Sequence, residues 1–386
     1  MKILFIVFNK VGRGTYFRAF ELARALANSN HSITLIASAN SQKKNITVFF
    51  HDNVEIIEIP NIFPKILQSG WDLGNLLFRI QTLKSRHFDI VHGFESRPTV
   101  IYPTLRLHRQ GIPFFLDWAD WFGSGGSIEE RPGTIVKRIL RPFEDYFETH
   151  FRTKAKGTTV ICESLKTRAI ALGIPEEKIC LLPNGFNLPN WKPIPINFAR
   201  KKIDIDDNFP LIGYLGSFFP SDAKLAARSF NLLRNYNQNI RFIHIGFSNY
   251  HIKDLVNDPG SVIETGAIIG QQNVQYYLSS CNLLWLPLRN IQANEGRFPL
   301  KFTNYLSCGR PIVATDVGDI PKFIQKAKVG IVTKDNPEEL KEASIHLLEN
   351  IDIQKQYGKN AINLSNKPSE SWASRAEQLI SLYKEV

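Results

Sequence analysis

Residues 297–316 hold the groups that a phosphate ligand needs, together with an element able to present them. Arg297, Lys301 and Asn304 put two cations and a hydrogen-bonding amide within eight positions. Pro299 suits the first turn of a helix, where its missing N–H goes unused, and Gly309 followed by Pro311 marks the helix end. A helix start carries free N–H groups and a partial positive charge, so anionic oxygens settle there. Lys301 and Asn304, three apart, share one face of that helix. The apolar run from 312 then reads as a buried parallel strand.

Three other loops have chemical potential. Residues 9–15 leave the first strand through Gly12 and Gly14, which let backbone approach a ligand, and Thr15 is placed to cap the following helix. A dinucleotide fingerprint would need a third glycine where Phe17 stands and an acid where residues 38–40 read Ser-Ala-Asn. Nicotinamide binding is therefore disfavoured, and the loop reads as a cleft lining or as a plain tight turn. Residues 116–126 carry Asp117, Trp118, Asp120 and Trp121 ahead of small, flexible residues. Aromatic faces suit sugar rings and carboxylates accept from hydroxyls; alternatively, the tryptophans anchor the loop and the acids form turns. Residues 213–217 end a strand, and Gly216 and Ser217 offer a backbone N–H and a hydroxyl to a phosphate. His244, inside an apolar strand, reads as a core histidine, and His92 at a strand end has only slightly more claim to chemistry.

These loops need a scaffold that lines them up. Short apolar strands are expected at 3–8, 32–37, 90–93, 114–116, 160–162 and 179–182, alternating with amphipathic helices such as 15–28. That rhythm argues a parallel sheet covered on both faces. Residues 184–209, with Pro189, Pro193 and Pro195, break it and read as an interdomain linker. A second series follows, with strands at 211–215, 241–245, 262–264, 282–286, 312–314 and 330–332. Its helices fall near 222–236, 271–280, 299–308, 320–327 and 337–349, and a last helix covers 369–385. With 386 residues, two such α/β domains are the expectation, with ligands in the crevice outside the strand C-termini.

Composition narrows the class. The longest early apolar run, 3–8, is too short for a membrane span or a signal-peptide core. Four scattered cysteines without a C-x-x-C pair read as reduced thiols in a cytoplasmic protein and argue against a zinc site. The net charge of +11 is concentrated in part at 131–156, with seven Lys/Arg against three Asp/Glu. An inert basic surface, an anionic membrane, a phosphorylated small molecule and a nucleic acid compete to explain it. No nucleic-acid-binding motif is present, so nucleic acid ranks last.

Taken in order, these segments resemble the family 4 glycosyltransferases, which have the GT-B fold. The likeness rests on Leu182-Pro183-Asn184-Gly185-Phe186-Asn187, on 213–217, on Thr265-Gly266-Ala267-Ile268, on Trp285-Leu286-Pro287-Leu288, and above all on 299–316. It implies two Rossmann-like domains facing across a cleft: 1–188 for the acceptor, 189–368 for the nucleotide-sugar, and a helix at 369–386 crossing back to the first. It also implies a retaining hexosyltransferase that needs no metal or other cofactor, moving a sugar from a UDP- or GDP-sugar to a glycan or lipid-linked acceptor. Polysaccharide biosynthesis in the cytoplasm, with contact to the inner membrane face through 131–156, fits that role.

By the same resemblance, Arg297 and Lys301 neutralise the donor diphosphate, helped by Gly216 and Ser217; Lys224, Thr265 and Leu300 also meet the donor, with Gly12 and Gly14 closing on the phosphates. Glu295 positions the donor sugar, Asp120 faces the reacting groups, and Asp117, Trp118 and Trp121 meet the acceptor. Asn304 stands where the family places the glutamate that holds the ribose, Gly296 eight positions earlier replaces its partner, and Ala119 precedes Asp120 where the family often has His. A catalytically inactive GT-B scaffold binding a sugar nucleotide or a partner protein, and a nucleotide-sugar epimerase, are the rival readings.

Overall fold

The computed structural model describes residues 1–40, 45–63, 68–131, 133–188, 191–206 and 208–385. Two compact units form: Met1–Asn184 with Gly296–Phe298 and Trp372–Val386, and Gly185–Glu295 with Pro299–Ser371. The first unit runs β1 (Lys2–Lys10), α1 (Tyr16–Asn28), β2 (Ser32–Ser38), β3 (Thr47–His51), β4 (Val54–Ile59), α2 (Leu73–Leu83), β5 (Ile90–Phe94) and α3 (Pro98–His108). It continues with β6 (Phe114–Trp118), α4 (Thr134–Thr149), β7 (Gly157–Val160), α5 (Glu163–Ala171) and β8 (Ile179–Leu181). Its sheet has the order β3-β4-β2-β1-β5-β6-β7-β8, parallel except where β3 meets β4. Ile3, Leu4, Phe5, Ile6 and Val7 of β1 have no exposed surface, as expected of a central strand covered on both faces.

The second unit comprises α6 (Ile196–Lys202), β9 (Leu211–Leu215), α7 (Pro220–Tyr236), β10 (Arg241–Ile245), β11 (Val262–Glu264), α8 (Gln271–Ser279) and β12 (Leu283–Leu286). Then come α9 (Gln292–Glu295), α10 (Lys301–Cys308), β13 (Ile312–Thr315), α11 (Ile320–Ala327), β14 (Gly330–Thr333), α12 (Pro337–Glu349) and α13 (Ile351–Ser365). Its all-parallel sheet has the order β11-β10-β9-β12-β13-β14. The last helix, α14 (Trp372–Glu385), belongs to the first unit, where it packs on α1, β7 and β8.

Several expectations shift. The strand expected at 160–162 forms over Gly157–Val160. Thr158 and Thr159 look polar in sequence but are fully buried, and their β-branched side chains suit a pleated strand. The hairpin β3–β4 was not anticipated, because β3 leaves Val48 and Phe50 exposed and gives no clear alternation. The segment expected to be a linker carries α6, and its Pro189 lies outside the described residues. The first unit ends at Asn184 rather than 188, and it takes Gly296–Phe298 from the stretch assigned to the second. The last helix starts at Trp372 rather than 369, since Pro368–Glu370 form a separate 3-10 turn.

In each sheet the strand order reverses once, between β1 and β5 and between β9 and β12. Loops beyond the C-termini of such strands diverge and leave room for a ligand. Close packing beneath the second switch point depends on Gly213. A Cβ there would lie 2.5 Å from Cys281 Sγ and 2.8 Å from Leu284 Cδ2. Gly213→Ala is expected to destabilise the unit by about 1–3 kcal/mol. A Tm equal to that of the unaltered protein would contradict this packing.

Candidate active site

In the second unit the chemistry converges on α10. The helix begins at Lys301, two residues later than Pro299, because the turn before it is already closed: Phe302 N–H donates to the Pro299 carbonyl at 3.1 Å and Thr303 N–H to that of Leu300 at 3.0 Å. The helix start therefore offers a cation more than a row of open N–H groups. Gly309 ends it in the left-handed region, φ 65°, as the sequence suggested.

Tyr305 sets where the helix sits. Its hydroxyl accepts from Leu215 N–H at 2.9 Å and donates to the Trp285 carbonyl at 3.1 Å. It thus ties α10 to the C-terminal ends of β9 and β12. Lys301 lies four residues earlier on the same face, so it arrives at the same strand ends. Its Nζ donates to Tyr214 Oη at 2.5 Å and stands 3.8 Å from the centre of that ring. A Cβ added to Gly216 would come within 3.9 Å of Nζ.

Gly216 contributes room here, not a donor. Its φ is 85°, a backbone shape that favours glycine. Its N–H is bound to the Ile245 carbonyl at 2.7 Å. Ser217 is likewise engaged, its hydroxyl donating to the Phe247 carbonyl at 2.9 Å. The donor roles expected of these two groups are corrected accordingly. His244 Nε2 bonds the Gly216 carbonyl at 2.8 Å. Burial lowers the His244 pKa, so the neutral ring donates from Nε2 and pins that loop. Sequence reading took it for a core residue only.

The remaining donor candidates are spread more widely. Thr265 Oγ1 accepts from Gly246 N–H at 2.9 Å and donates to the Gly266 carbonyl at 3.0 Å, which makes it a loop pin. Lys224 is exposed on α7 and lines a cavity of about 230 Å3 with Arg228 and Arg289. Leu300, Asn304 and Glu295 are half-buried, at the start of α10, within it and at the end of α9.

In the first unit the loop after β1 carries Gly12 and Gly14 at φ 75° and 57°. Both are exposed, and a Cβ on Gly12 would meet nothing within 4 Å. Thr15 makes no side-chain cap and α1 starts at Tyr16. The residue itself is buried.

The loop after β6 divides the candidates sharply. Asp117 has no exposed surface. It accepts from Arg18 Nε at 3.0 Å, Arg18 Nη2 at 2.8 Å and Thr159 Oγ1 at 2.5 Å. Burial alone would raise its pKa, yet Arg18 and these hydrogen bonds hold it below the ordinary carboxylate value. Trp118 is equally buried, its indole N–H donating to Glu148 at 3.0 Å and its ring 4.2 Å from the Arg152 guanidinium. Neither can touch an acceptor. Both anchor the loop, which corrects their assignment. Trp121 remains half-buried, with Arg168 4.0 Å over its ring.

Asp120, also half-buried, is the acid that stays available. Burial pushes its pKa up to about 6, against the pull of Arg297 and Arg97. Arg297 therefore acts on Asp120 within the first unit, although the sequence put it in the second domain.

What holds this loop escaped the sequence reading. Glu148 accepts from Phe122 N–H and Gly123 N–H, both at 2.8 Å, as well as from Trp118. Asp145 accepts from Ser124 N–H at 2.5 Å and its hydroxyl at 2.6 Å. Glu95, on a backbone at φ 66°, accepts from Ala119 N–H at 2.8 Å and Arg152 at 3.0 Å. The available signal was Glu144, Asp145 and Glu148 clustered in an otherwise basic stretch. Acids spaced one and three or four apart suggest a helix face turned toward donors. His92 is a core residue: Nδ1 bonds Tyr383 Oη at 2.7 Å, and burial lowers its pKa to about 4.

Comparison with known proteins places this geometry. Residues 14–189 match the family described as Glycosyltransferase Family 4, and residues 209–350 match Glycosyl transferases group 1. Over 283 residues the chain is 24% identical to alpha-galactosylglucosyldiacylglycerol synthase of Streptococcus pneumoniae, spanning 68% of this chain and 73% of that one. In structure it is similar to sucrose-phosphate synthase from Thermosynechococcus elongatus, with TM-score 0.77 and 15% identity over 100% of this chain and 98% of the other. Anabaena HepE in complex with UDP-glucose matches with TM-score 0.69 and 14% identity over 100% of both chains. With one match on each unit and a mostly parallel, Rossmann-like sheet in each, the chain belongs to the family 4 glycosyltransferases of GT-B fold and is a glycosyltransferase.

Proposed function

We propose that this enzyme moves a sugar from a UDP- or GDP-sugar to a glycan or lipid-linked acceptor, with retention at the anomeric carbon and without a metal ion. The observation that carries the reading is the Lys301 ammonium, held beside Gly216 where β9 ends. Cleaving a bond to a nucleotide diphosphate builds negative charge on the leaving phosphate, and a fixed cation there stabilises the transition state. Lys301 takes the diphosphate, with Arg297 as a second cation and Gly12 and Gly14 giving backbone room. Leu300 and Asn304 line the donor on α10, with Asn304 toward the ribose, and Glu295 orients the sugar. The UDP-glucose complex of HepE and the glycolipid named for the pneumococcal relative support this class of donor and acceptor.

Asp120 is the group we place at the reacting centre, as a carboxylate. Its raised pKa fixes the sign of the pH dependence: the charged form is present above about pH 6 and lost below it. Turnover should therefore fall on an acid limb near that value, and Asp120→Asn should abolish the limb together with most activity. The same shift opposes folding as pH rises, because the folded state binds this proton more tightly than the unfolded chain. Asp120→Asn should accordingly raise Tm at pH 8. A flat profile between pH 5 and 8 would remove Asp120 from the chemistry.

The direct test incubates the purified protein with a panel of UDP-, GDP- and ADP-sugars and candidate acceptors, with and without EDTA. Product anomers are read by NMR. Turnover that survives EDTA and keeps the donor's anomeric configuration is expected. Inverted product or loss of activity with chelator would overturn the respective part of the reading.

A further inference from the structure

We infer that a cavity at the far edge of the second unit's sheet binds a phosphorylated organic anion, its phosphates on Arg310, Lys355 and Lys359 and its uncharged part on an apolar wall. The site goes beyond sugar transfer and does not rest on the donor assignment. Its volume is about 1040 Å3, at the upper end of the range for small-molecule pockets. Pro210, Asn282 and Pro311 line it, and each stands immediately before a strand: β9, β12 and β13. Lys301 belongs to the opposite edge, where Tyr305 ties its helix to the C-terminal ends of β9 and β12. Roughly 15 Å of strand separates the two edges.

One close contact gathers the cations. A Cβ on Gly309 would lie 3.0 Å from Ile362 Cγ1, and α13 passes so near the end of α10 that its Gly358 has no room for a side chain. Arg310, the next residue, thus arrives beside the turns of α13 that carry Lys355 and Lys359. At roughly 100° per residue, Ile351, Lys355, Lys359 and Ile362 fall within about 80° of the helix circumference, and all four line the cavity with Arg310. Arg310 is half-buried and donates to the carbonyls of Ser279 at 2.7 Å, Ile194 at 2.6 Å and Gly309 at 3.5 Å. Burial lowers its pKa, and the Arg200 guanidinium nearby adds repulsion; an anion set beside it would offset both. Lys355 and Lys359 are exposed and form no ion pair with a described residue. No aspartate or glutamate is among the described residues that line the cavity. Three cations without an acid suit a ligand carrying several phosphate charges. Ile351, 55% exposed, stands beside them with Ile362 and Phe209. That wall has no use for inorganic phosphate, but it can cover a base or another apolar group.

Calorimetric titration of the full chain, saturated with UDP, tests this with two probes: ATP for charge plus an aromatic base, and inorganic triphosphate for charge alone. One ATP per chain is expected to bind, more tightly than triphosphate. Combining Lys355→Glu with Lys359→Glu should weaken ATP by about tenfold or more, with Tm and sugar transfer in the absence of ATP unchanged. Ile351→Ser should weaken ATP while leaving triphosphate as it was. The proposal fails if ATP does not bind, or if the double variant binds it as well as the unaltered chain does. It fails equally if UDP displaces ATP, which would assign the nucleotide to the donor site. Equal affinity for ATP and triphosphate would reduce the cavity to an adventitious ion site and overturn the organic ligand.

Discussion

Lys301→Ala is expected to lower kcat/KM for the nucleotide-sugar by roughly 100- to 1,000-fold, the loss of about 3–4 kcal/mol of transition-state stabilisation seen when one fixed electrostatic contact is removed. The ammonium lies against Tyr214 and beside Gly216, held there by a helix whose position depends on Tyr305. Removing the cation leaves that helix anchor in place, so Tm should change little. The loss should fall mainly on kcat if the charge acts on the leaving diphosphate, since a ground-state contact alone would raise KM. Free UDP should also bind more weakly. A Lys301→Ala enzyme with undiminished turnover would remove the diphosphate from this corner of the second unit.

The largest stability effect is expected at Arg18. Its guanidinium donates twice to Asp117, at 3.0 and 2.8 Å, and also to the Leu182 carbonyl at 2.7 Å and to Asn184 at 3.2 Å, all within the first unit. Arg18→Ala leaves the Asp117 carboxylate buried with its countercharge gone, an imbalance that costs about 3–5 kcal/mol. Replacing both partners together, as Arg18→Met with Asp117→Leu, should recover much of that loss, because no charge is then stranded. The pH dependence has a definite sign. The folded-state pKa of Asp117 is held below its ordinary value, so the pair stabilises above the unfolded carboxylate pKa of about 4 and loses that contribution as pH falls. The stability gap between the unaltered protein and Arg18→Ala should therefore narrow toward acid pH. Urea unfolding of the first unit across pH checks this. A gap under about 1 kcal/mol at pH 7 would mean that the pair is not desolvated.

Much of the scaffold is legible in the order of residues because burial on both faces leaves an unmistakable mark. The apolar runs at the cores of β1, β2, β9, β10, β12 and β13 announce a doubly covered parallel sheet. The stop at Gly309 and the turn at Gly216 were readable too, since their backbone shapes favour glycine. Where a strand is built from Thr, as in β7, hydrophobicity misplaces it by three residues. Where it lies at a sheet edge, as in β3, exposure hides it.

The site divides along a different line. Residue types and local spacing determined by themselves that Lys301 and Asn304 share a helix face, that glycines open both switch-point loops, and that the chain carries the family's ordered motifs. Only the tertiary structure decided which polar groups are free to act. Asp117 and Asp120 are three residues apart and equally acidic on paper. One is sealed against Arg18, and the other is left half-buried with its pKa raised to about 6. Gly216 and Ser217 look like phosphate donors until Ile245 and Phe247, far along the chain, are seen to take their hydrogens. The same holds for Glu148, whose partners at Trp118, Phe122 and Gly123 lie 25 to 30 residues away. A sequence records what each side chain can donate, accept or bury; which of those capacities is already satisfied depends on long-range contacts that only folding creates.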